Sequence, residues 1–391
     1  MIRVAILGST GSIGRNALKV IDRHPDLFQV VALAANRSLK TLAEQVRRHG
    51  PRVAVLAEDE GLRGCDDLPD ARWMGGREAL LEVVQAEDVD VVVNALVGSA
   101  GLEPTLLALR AGKRLALANK ESLVAGGELV VAAAEDGGGE LIPVDSEHSA
   151  ILQCLEGSDM ASVARMVLTA SGGPFRGWTA EELWDVRPSQ ALNHPTWSMG
   201  AKISVDSATL ANKALEVIEA HFLYGIDYDS IGVVVHPQSI IHSFVEFLDG
   251  SVLAQLGFPT MELPILYAMS YPERVADPVL RTFDPVTASP LVFEELDGGT
   301  FNLFSLGDRA GRDGGTSPAA YNAANEVAVG AFLDERIRFP EMGDVVAHAL
   351  SEVGGDPVES LEQVLTVDRE ARETAADMVR TLEKRETSKK S

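Results

Sequence analysis

From residue 3 to about 145 the chain repeats one pattern: a short run of branched and apolar residues, a stretch with helical spacing, then another short run. The runs fall at Val4 to Leu7, Val30 to Ala34, Val53 to Leu56, Val89 to Leu96, Leu115 to Ala118 and Leu141 to Val144. Strands buried on both faces read as continuous apolar runs, and strands joined through helices pair in parallel. The pattern therefore predicts an α/β unit, a parallel sheet wrapped by helices. Between the second and third runs Ser38 is placed to cap a helix through Leu39, Leu42 and Val46 that stops at Gly50.

Beyond residue 145 the pattern loosens, with a glycine-proline turn at Ser171-Gly172-Gly173-Pro174 and a long polar segment from Asn193 to Ser207. Residues 145–270 are expected to form a second, α+β domain. Residues 271–298, with Pro272, Pro278, Pro285 and Pro290, read as an extended linker. Residues 299–391 read as a helical domain: Ser317-Pro318 has an N-cap followed by proline, another helix follows Pro340, and Asp368 is placed to cap the last. The charged tail from Glu383 is expected to fray.

With 391 residues and 46% hydrophobic composition the chain can fill two or three cores. Its formal charge of -24 argues against a nucleic-acid or anionic-membrane partner, so an anionic ligand must be held by local features. No stretch reaches 18 uncharged apolar residues, and the apolar N-terminal run meets Gly8 too soon for a signal peptide. Two cysteines, Cys65 and Cys154, make no disulfide framework, which suits a reducing cytosol and a cytoplasmic protein.

The first run leads into Gly8-Ser9-Thr10-Gly11-Ser12-Ile13-Gly14, and a helix through Ala17, Leu18 and Ile21 follows. Glycines there permit a tight turn and let a pyrophosphate approach backbone N-H groups at the helix start. An ordinary strand-to-helix turn is the alternative; the position after the first strand favours a dinucleotide. At the end of the second run, Ala34-Ala35-Asn36-Arg37-Ser38 offers no carboxylate for a ribose 2'-hydroxyl and one guanidinium. That favours NADP, with Arg37 and Ser38 on the 2'-phosphate, over Arg37 as a solvated loop residue.

Asp145 and Glu147 stand one residue apart after Leu141-Ile142-Pro143-Val144. If the chain there is extended, both carboxylates point the same way and repel unless a cation separates them. Glu216 is the best third ligand, on a helix expected to be capped by Asp206 or Ser207, where Asn212 shares its face and Lys213 neighbours it. Three carboxylates without cysteine suit Mg2+ or Mn2+. A surface carboxylate cluster remains the alternative. Ser171-Gly172-Gly173, Ser207 and Lys213 could form a phosphate pocket; otherwise the first is a turn and Lys213 pairs with Glu216 or Glu219. Asn193 to Gly200 carries His194, Trp197 and Met199 without core periodicity and reads as a lid. His236 reads as a structural histidine at a strand end.

Several long motifs in order complete the reading. They are the glycine loop, Ala118-Asn119-Lys120-Glu121-Ser122, Pro143 to His148, Ser171 to Phe175, His194-Pro195 with Trp197 to Gly200, Lys202 to Thr209, Asn212-Lys213, His236 to Ser239, and Asn322 to Glu326. In these the chain resembles the 1-deoxy-D-xylulose-5-phosphate reductoisomerases of the non-mevalonate isoprenoid pathway over nearly its whole length. The resemblance implies a metal held by Asp145, Glu147 and Glu216. It implies substrate contacts from Lys120, Ser146, Glu147, Ser171, His194, Ser207, Asn212, Lys213 and Glu216, with Trp197 on a mobile flap. NADPH would touch Thr10, Gly11, Ser12, Ile13, Asn36, Arg37, Ser38, Asn119, Glu121, Met199 and Gly200. Lys120, Glu147, His194 and Glu216 would be the catalytic set. Asn36 and Arg37 stand where many members have Gly and Lys, and Ala170 where some have Gly; Arg keeps the charge.

The same resemblance implies a homodimer whose N-terminal Rossmann-like domain, residues 1–144, binds NADP. The reaction it implies is skeletal rearrangement of 1-deoxy-D-xylulose 5-phosphate, by retro-aldol cleavage and re-addition, and then reduction to 2-C-methyl-D-erythritol 4-phosphate. An NADP-dependent dehydrogenase of another sugar phosphate is the runner-up.

Overall fold

The computed structural model describes residues 1–62, 67–197 and 199–390, without the side chains of 386–390; Cys65 and Ser198 lie outside the described residues. Packing divides the chain into two units. The first comprises Met1–Ser122, Leu129–Ser149 and Thr260–Arg281; the second comprises Leu123–Glu128, Ala150–Pro259 and Thr282–Ser391.

In the first unit the strands are β1 (Ile2–Leu7), β2 (Phe28–Ala35), β3 (Val53–Leu56), β4 (Arg72–Gly75), β5 (Val91–Asn94), β6 (Arg114–Leu117) and β7 (Glu140–Pro143). They form one sheet in the order β4-β3-β2-β1-β5-β6-β7, with every described pairing parallel. The order reverses between β1 and β5, so a crevice opens beyond the carboxyl ends of those two strands, where folds of this type take their ligands. Val4 to Leu7, Val92 and Val93, and Leu115 to Leu117 are wholly buried, as helices on both faces require.

Strand register decides what lines that edge. Leu7 pairs with Ala34 and Asn94, Asn94 with Leu117, and Leu117 with Pro143. The segments that follow these residues therefore leave the sheet side by side: the glycine loop, Asn36-Arg37, Asn119-Lys120 and Asp145.

The six expected strands are present, with ends that are extended, trimmed or shifted by one or two residues. The seventh, β4, is an edge strand of sequence Arg72-Trp73-Met74-Gly75, partly exposed and without a β-branched residue, so Trp73 is its one strand-favouring residue. Helix Glu262–Ser270, assigned from sequence to the second domain, instead packs on helix Ser12–Arg23 and on β6 and β7. Its residues from Pro264 to Ser270 are all buried. Arg23 lies 2.8 Å from Glu262 and 2.7 Å from Asp277, and His24 is 3.1 Å from Asp277, which ties the segment down.

In the second unit β8 (Val163–Ala170), β9 (Ile231–Val235), β10 (Ile241–Phe247) and β11 (Val252–Leu256) form a mixed sheet in the order β11-β10-β8-β9. The C-terminal helices share a core with its other helices. Phe175, Leu215, Ile218, Tyr321, Phe332, Met342, Val345 and Val379 belong to one buried cluster. The expected linker does not run free throughout: Val235 and Glu294 exchange backbone hydrogen bonds at 2.9 Å, and His236 stacks on Phe293 with centroids 4.7 Å apart. His236 thus serves structure, as read from sequence.

Four local readings are corrected. Asp145 and Glu147 are not in extended chain, because helix Ser146–Leu155 begins between them and puts Glu147 in its first turn. Asp206 lies inside helix Ala201–Ala208, and the helix bearing Glu216 is a separate one, Ala211–Tyr224, entered through Leu210 at φ 61°. Thr316 rather than Ser317 occupies the N-cap position of helix Ser317–Leu333. The last helix spans Leu361–Lys390, so Asp368 lies within it, 2.7 Å from Arg372, and the tail stays helical as far as Lys390.

Candidate active site

In the first unit, the turn after β1 is built from two glycines with different tasks. Gly8 takes φ +78°, and a Cβ there would lie 2.4 Å from the Ala95 carbonyl oxygen; at Gly14 one would lie 2.4 Å from the Gly8 oxygen. Gly11 has ordinary angles, and a Cβ there would meet its nearest atom at 3.3 Å. The loop is pinned from below, where Ser9 Oγ donates to Gln45 at 2.7 Å and Gln45 Nε2 donates to the Ser9 carbonyl at 2.8 Å. Above it Thr10 to Ile13 stay accessible, and the first N-H groups of helix Ser12–Arg23 have no intrahelical acceptor. Asn36, Arg37 and Ser38 are exposed at the neighbouring strand end.

Past β6, Asn119 is fully buried and its Nδ2 lies 3.0 Å from each of three acceptors that share its two hydrogens, the carbonyls of Leu96 and Gly98 and the Glu121 carboxylate. Lys120, 5% exposed, forms a close ion pair with Asp145. Ser146 donates its backbone N-H to Asp145 at 3.1 Å and its hydroxyl to Glu147 at 2.6 Å. Asp145, Glu147, Lys120 and Ser146 thus occupy one corner.

In the second unit, Ser171 follows β8 and leads into Gly172 and Gly173, at φ +82° and +67°. A Cβ on Gly173 would lie 2.6 Å from the Ser207 carbonyl oxygen, so this turn packs directly on the residue proposed beside it in the phosphate pocket. Ser171 Oγ is 3.0 Å from His194 Nε2. His194 Nδ1 accepts N-H bonds from Thr196 at 3.1 Å and Trp197 at 2.9 Å, so the neutral ring carries its proton on Nε2 and donates to Ser171. Burial holds its pKa below the usual histidine value. Gly200 takes the N-cap position of helix Ala201–Ala208, and Trp197 and Met199 are partly buried.

Within helix Ala211–Tyr224 both Asn212 and Lys213 bond closely to Glu216. Lys213 and Glu216 side chains are only 4% and 1% exposed, so this charge pair is buried. Sequence reasoning missed Asp206 as a buried anchor: its Oδ1 accepts from Asn325 at 2.8 Å, and Lys202 lies 2.9 Å from Oδ2. The signal available was Asn325 inside an alanine-rich helix, where a buried amide needs a partner.

The donor set fits a hard divalent cation. Its candidate ligands are carboxylates, and Asp145 and Glu216 each carry a lysine as counter-charge in this structure. A parallel sheet with a glycine loop at its switch point, lysine-paired carboxylates and a Ser-Gly-Gly turn backed by histidine defines a nucleotide-dependent oxidoreductase of the α/β class.

The comparisons name the family. Profiles of 1-deoxy-D-xylulose 5-phosphate reductoisomerase match residues 4–127, of its C-terminal domain residues 141–224, and of a further DXP reductoisomerase C-terminal domain residues 256–374. A reductoisomerase of that name from Rhodococcus jostii is 52% identical over 97% of this chain and 94% of its own length. One from Clostridium botulinum is 46% identical over 95% and 98%. The solved enzyme from Zymomonas mobilis, in complex with NADPH, superposes with TM-score 0.89 at 41% identity over 97% and 99% of the two chains. A DOX-P reductoisomerase in complex with NADPH, fosmidomycin and magnesium gives 0.91 at 39% identity over 98% and 99%. This chain belongs to the 1-deoxy-D-xylulose 5-phosphate reductoisomerase family.

Proposed function

We propose that the chain converts 1-deoxy-D-xylulose 5-phosphate to 2-C-methyl-D-erythritol 4-phosphate, using NADPH and Mg2+ or Mn2+. The observation that carries this reading is the family match over residues 4–127, 141–224 and 256–374, in a chain that carries the glycine loop, the carboxylates and the lysines. Thr10, Gly11, Ser12 and Ile13 would receive the pyrophosphate at the helix start, and Asn36, Arg37 and Ser38 the 2'-phosphate. Asn119, Glu121, Met199 and Gly200 would contact the rest of the nucleotide. Asp145, Glu147 and Glu216 would hold the metal.

When bound, the divalent ion supplies a Lewis acid that polarises the substrate carbonyl, and NADPH supplies the hydride. The chain's own residues bind, orient and exclude water. Lys213, Asn212, Ser171 and Ser207 take the phosphate, where a buried lysine meets a dianion in low dielectric. His194 donates from Nε2, oriented by the two backbone N-H groups on Nδ1. Lys120, Ser146, Glu147 and Glu216 contact the substrate and Trp197 covers it, so binding of the remote phosphate can drive exclusion of water.

The test is NADPH consumption with 1-deoxy-D-xylulose 5-phosphate and Mg2+ or Mn2+. No turnover by folded, metal-loaded protein overturns the reading. We read the enzyme also as a cytoplasmic homodimer without nucleic-acid or membrane partners. The edge strand β11 exposes Val252 at 53% and Leu253 at 47%, and Leu248 beside it is 72% exposed, which favours a covering partner. Light scattering that reports the mass of a single chain overturns the dimer. Among the described residues no helix is long and apolar enough to cross a membrane.

A further inference from the structure

The end of β2 carries no carboxylate of its own, but the fold supplies one from the next strand. Ala35 pairs with Leu56, so the ends of β2 and β3 lie side by side and Glu58 comes to rest against Asn36 and Arg37. Glu58 N donates to the Asn36 carbonyl at 3.0 Å. Its Oε1 accepts from Arg37 Nε at 2.5 Å and from Asn36 Nδ2 at 3.2 Å. The Arg37 and Glu58 side chains are 77% and 49% exposed. A pair that open to solvent adds little stability, so stability does not account for it.

The contact through Nε leaves the two terminal nitrogens of the guanidinium to donate a parallel pair of hydrogen bonds to a phosphate. A 2'-phosphate on those nitrogens would lie one guanidinium away from a carboxylate of its own sign. We propose that Glu58 is a specificity-determining residue for the nucleotide, opposing the 2'-phosphate across Arg37 and so limiting the preference for NADPH over NADH. This rests on the reading of Arg37 as the partner of the 2'-phosphate. A phosphate of nearly two charges facing a carboxylate at such separation in water is opposed by a factor of roughly three to ten in affinity.

The experiment is equilibrium binding of NADPH and of NADH, followed by nucleotide fluorescence, in the full-length protein and its Glu58→Gln and Arg37→Gln variants. Glu58→Gln is expected to tighten NADPH by roughly three- to tenfold, to leave NADH within about twofold, and to lose this gain as salt is raised. Its thermal unfolding should match the parent's. Unchanged or weaker NADPH binding in Glu58→Gln overturns the proposal, as does equal tightening of both nucleotides. Arg37→Gln separates the two failures. If it costs NADPH affinity while Glu58→Gln gains none, only the role of Glu58 falls; if it leaves the NADPH-to-NADH ratio unchanged, the reading of Arg37 falls and takes the proposal with it.

Discussion

His194 shows how much one side chain's surroundings decide. Two backbone N-H groups point at Nδ1, so protonation there would set a third N-H against them, and burial disfavours the charge as well. Its folded pKa therefore lies below the unfolded value of about 6.5. Between the two values the unfolded chain binds a proton that the folded chain does not, so stability rises with pH through that window. This contribution is complete above about 6.5 and is lost as pH falls toward the depressed value. A histidine NMR titration should place the midpoint of His194 below that of an exposed histidine, and substrate KM should rise on the acid side. A midpoint at or above the ordinary value would remove the neutral donor from the account. For Glu216, exchange to glutamine breaks its buried ion pair with Lys213, a change that costs about 3–5 kcal/mol. Glu216→Gln should also lower kcat/KM by more than the roughly 10- to 100-fold that outer partners of a metal site command. Parent-like Mn2+ binding by calorimetry in that variant would contradict its role as a ligand.

At the scale of elements, the turn after β1 is governed by distances rather than by the glycine count. A Cβ at Gly14 would come within 2.4 to 2.7 Å of backbone atoms of Gly8 and Ser9, which cannot swing aside. Gly14→Ala should destabilise by about 1–3 kcal/mol in denaturant unfolding. Gly11→Ala should unfold within about 0.5 kcal/mol of the parent while weakening nucleotide binding. Equal losses in the two variants would show that the turn is not built as described. The six apolar strands were legible because their apolar runs are mostly buried and carry few polar residues. β4 was not, since an exposed edge tolerates Arg72 and Gly75. The paired carboxylates were visible as residue types but not as geometry. The helix that starts at Ser146 replaced the expected extended chain, because a backbone start at Asp145, whose carbonyl accepts from Ser149 at 2.8 Å, is not visible in residue types alone. Likewise Glu58 lies 21 residues from Arg37 and meets it only through strand register.

For the molecule as a whole, function is read from a combination that neither unit carries alone in sequence: a nucleotide sheet, carboxylates that suit a hard cation, and a phosphate turn. A simple dehydrogenase would use the sheet and leave the carboxylates without a task. The carboxylates therefore favour rearrangement before reduction. NMR of the product formed from 1-deoxy-D-xylulose 5-phosphate, NADPH and Mg2+ distinguishes this order from simple reduction. A branched product, 2-C-methyl-D-erythritol 4-phosphate, whose formation stops on chelation is expected; an unbranched reduced pentitol phosphate, or product formation that survives chelation, overturns rearrangement before reduction.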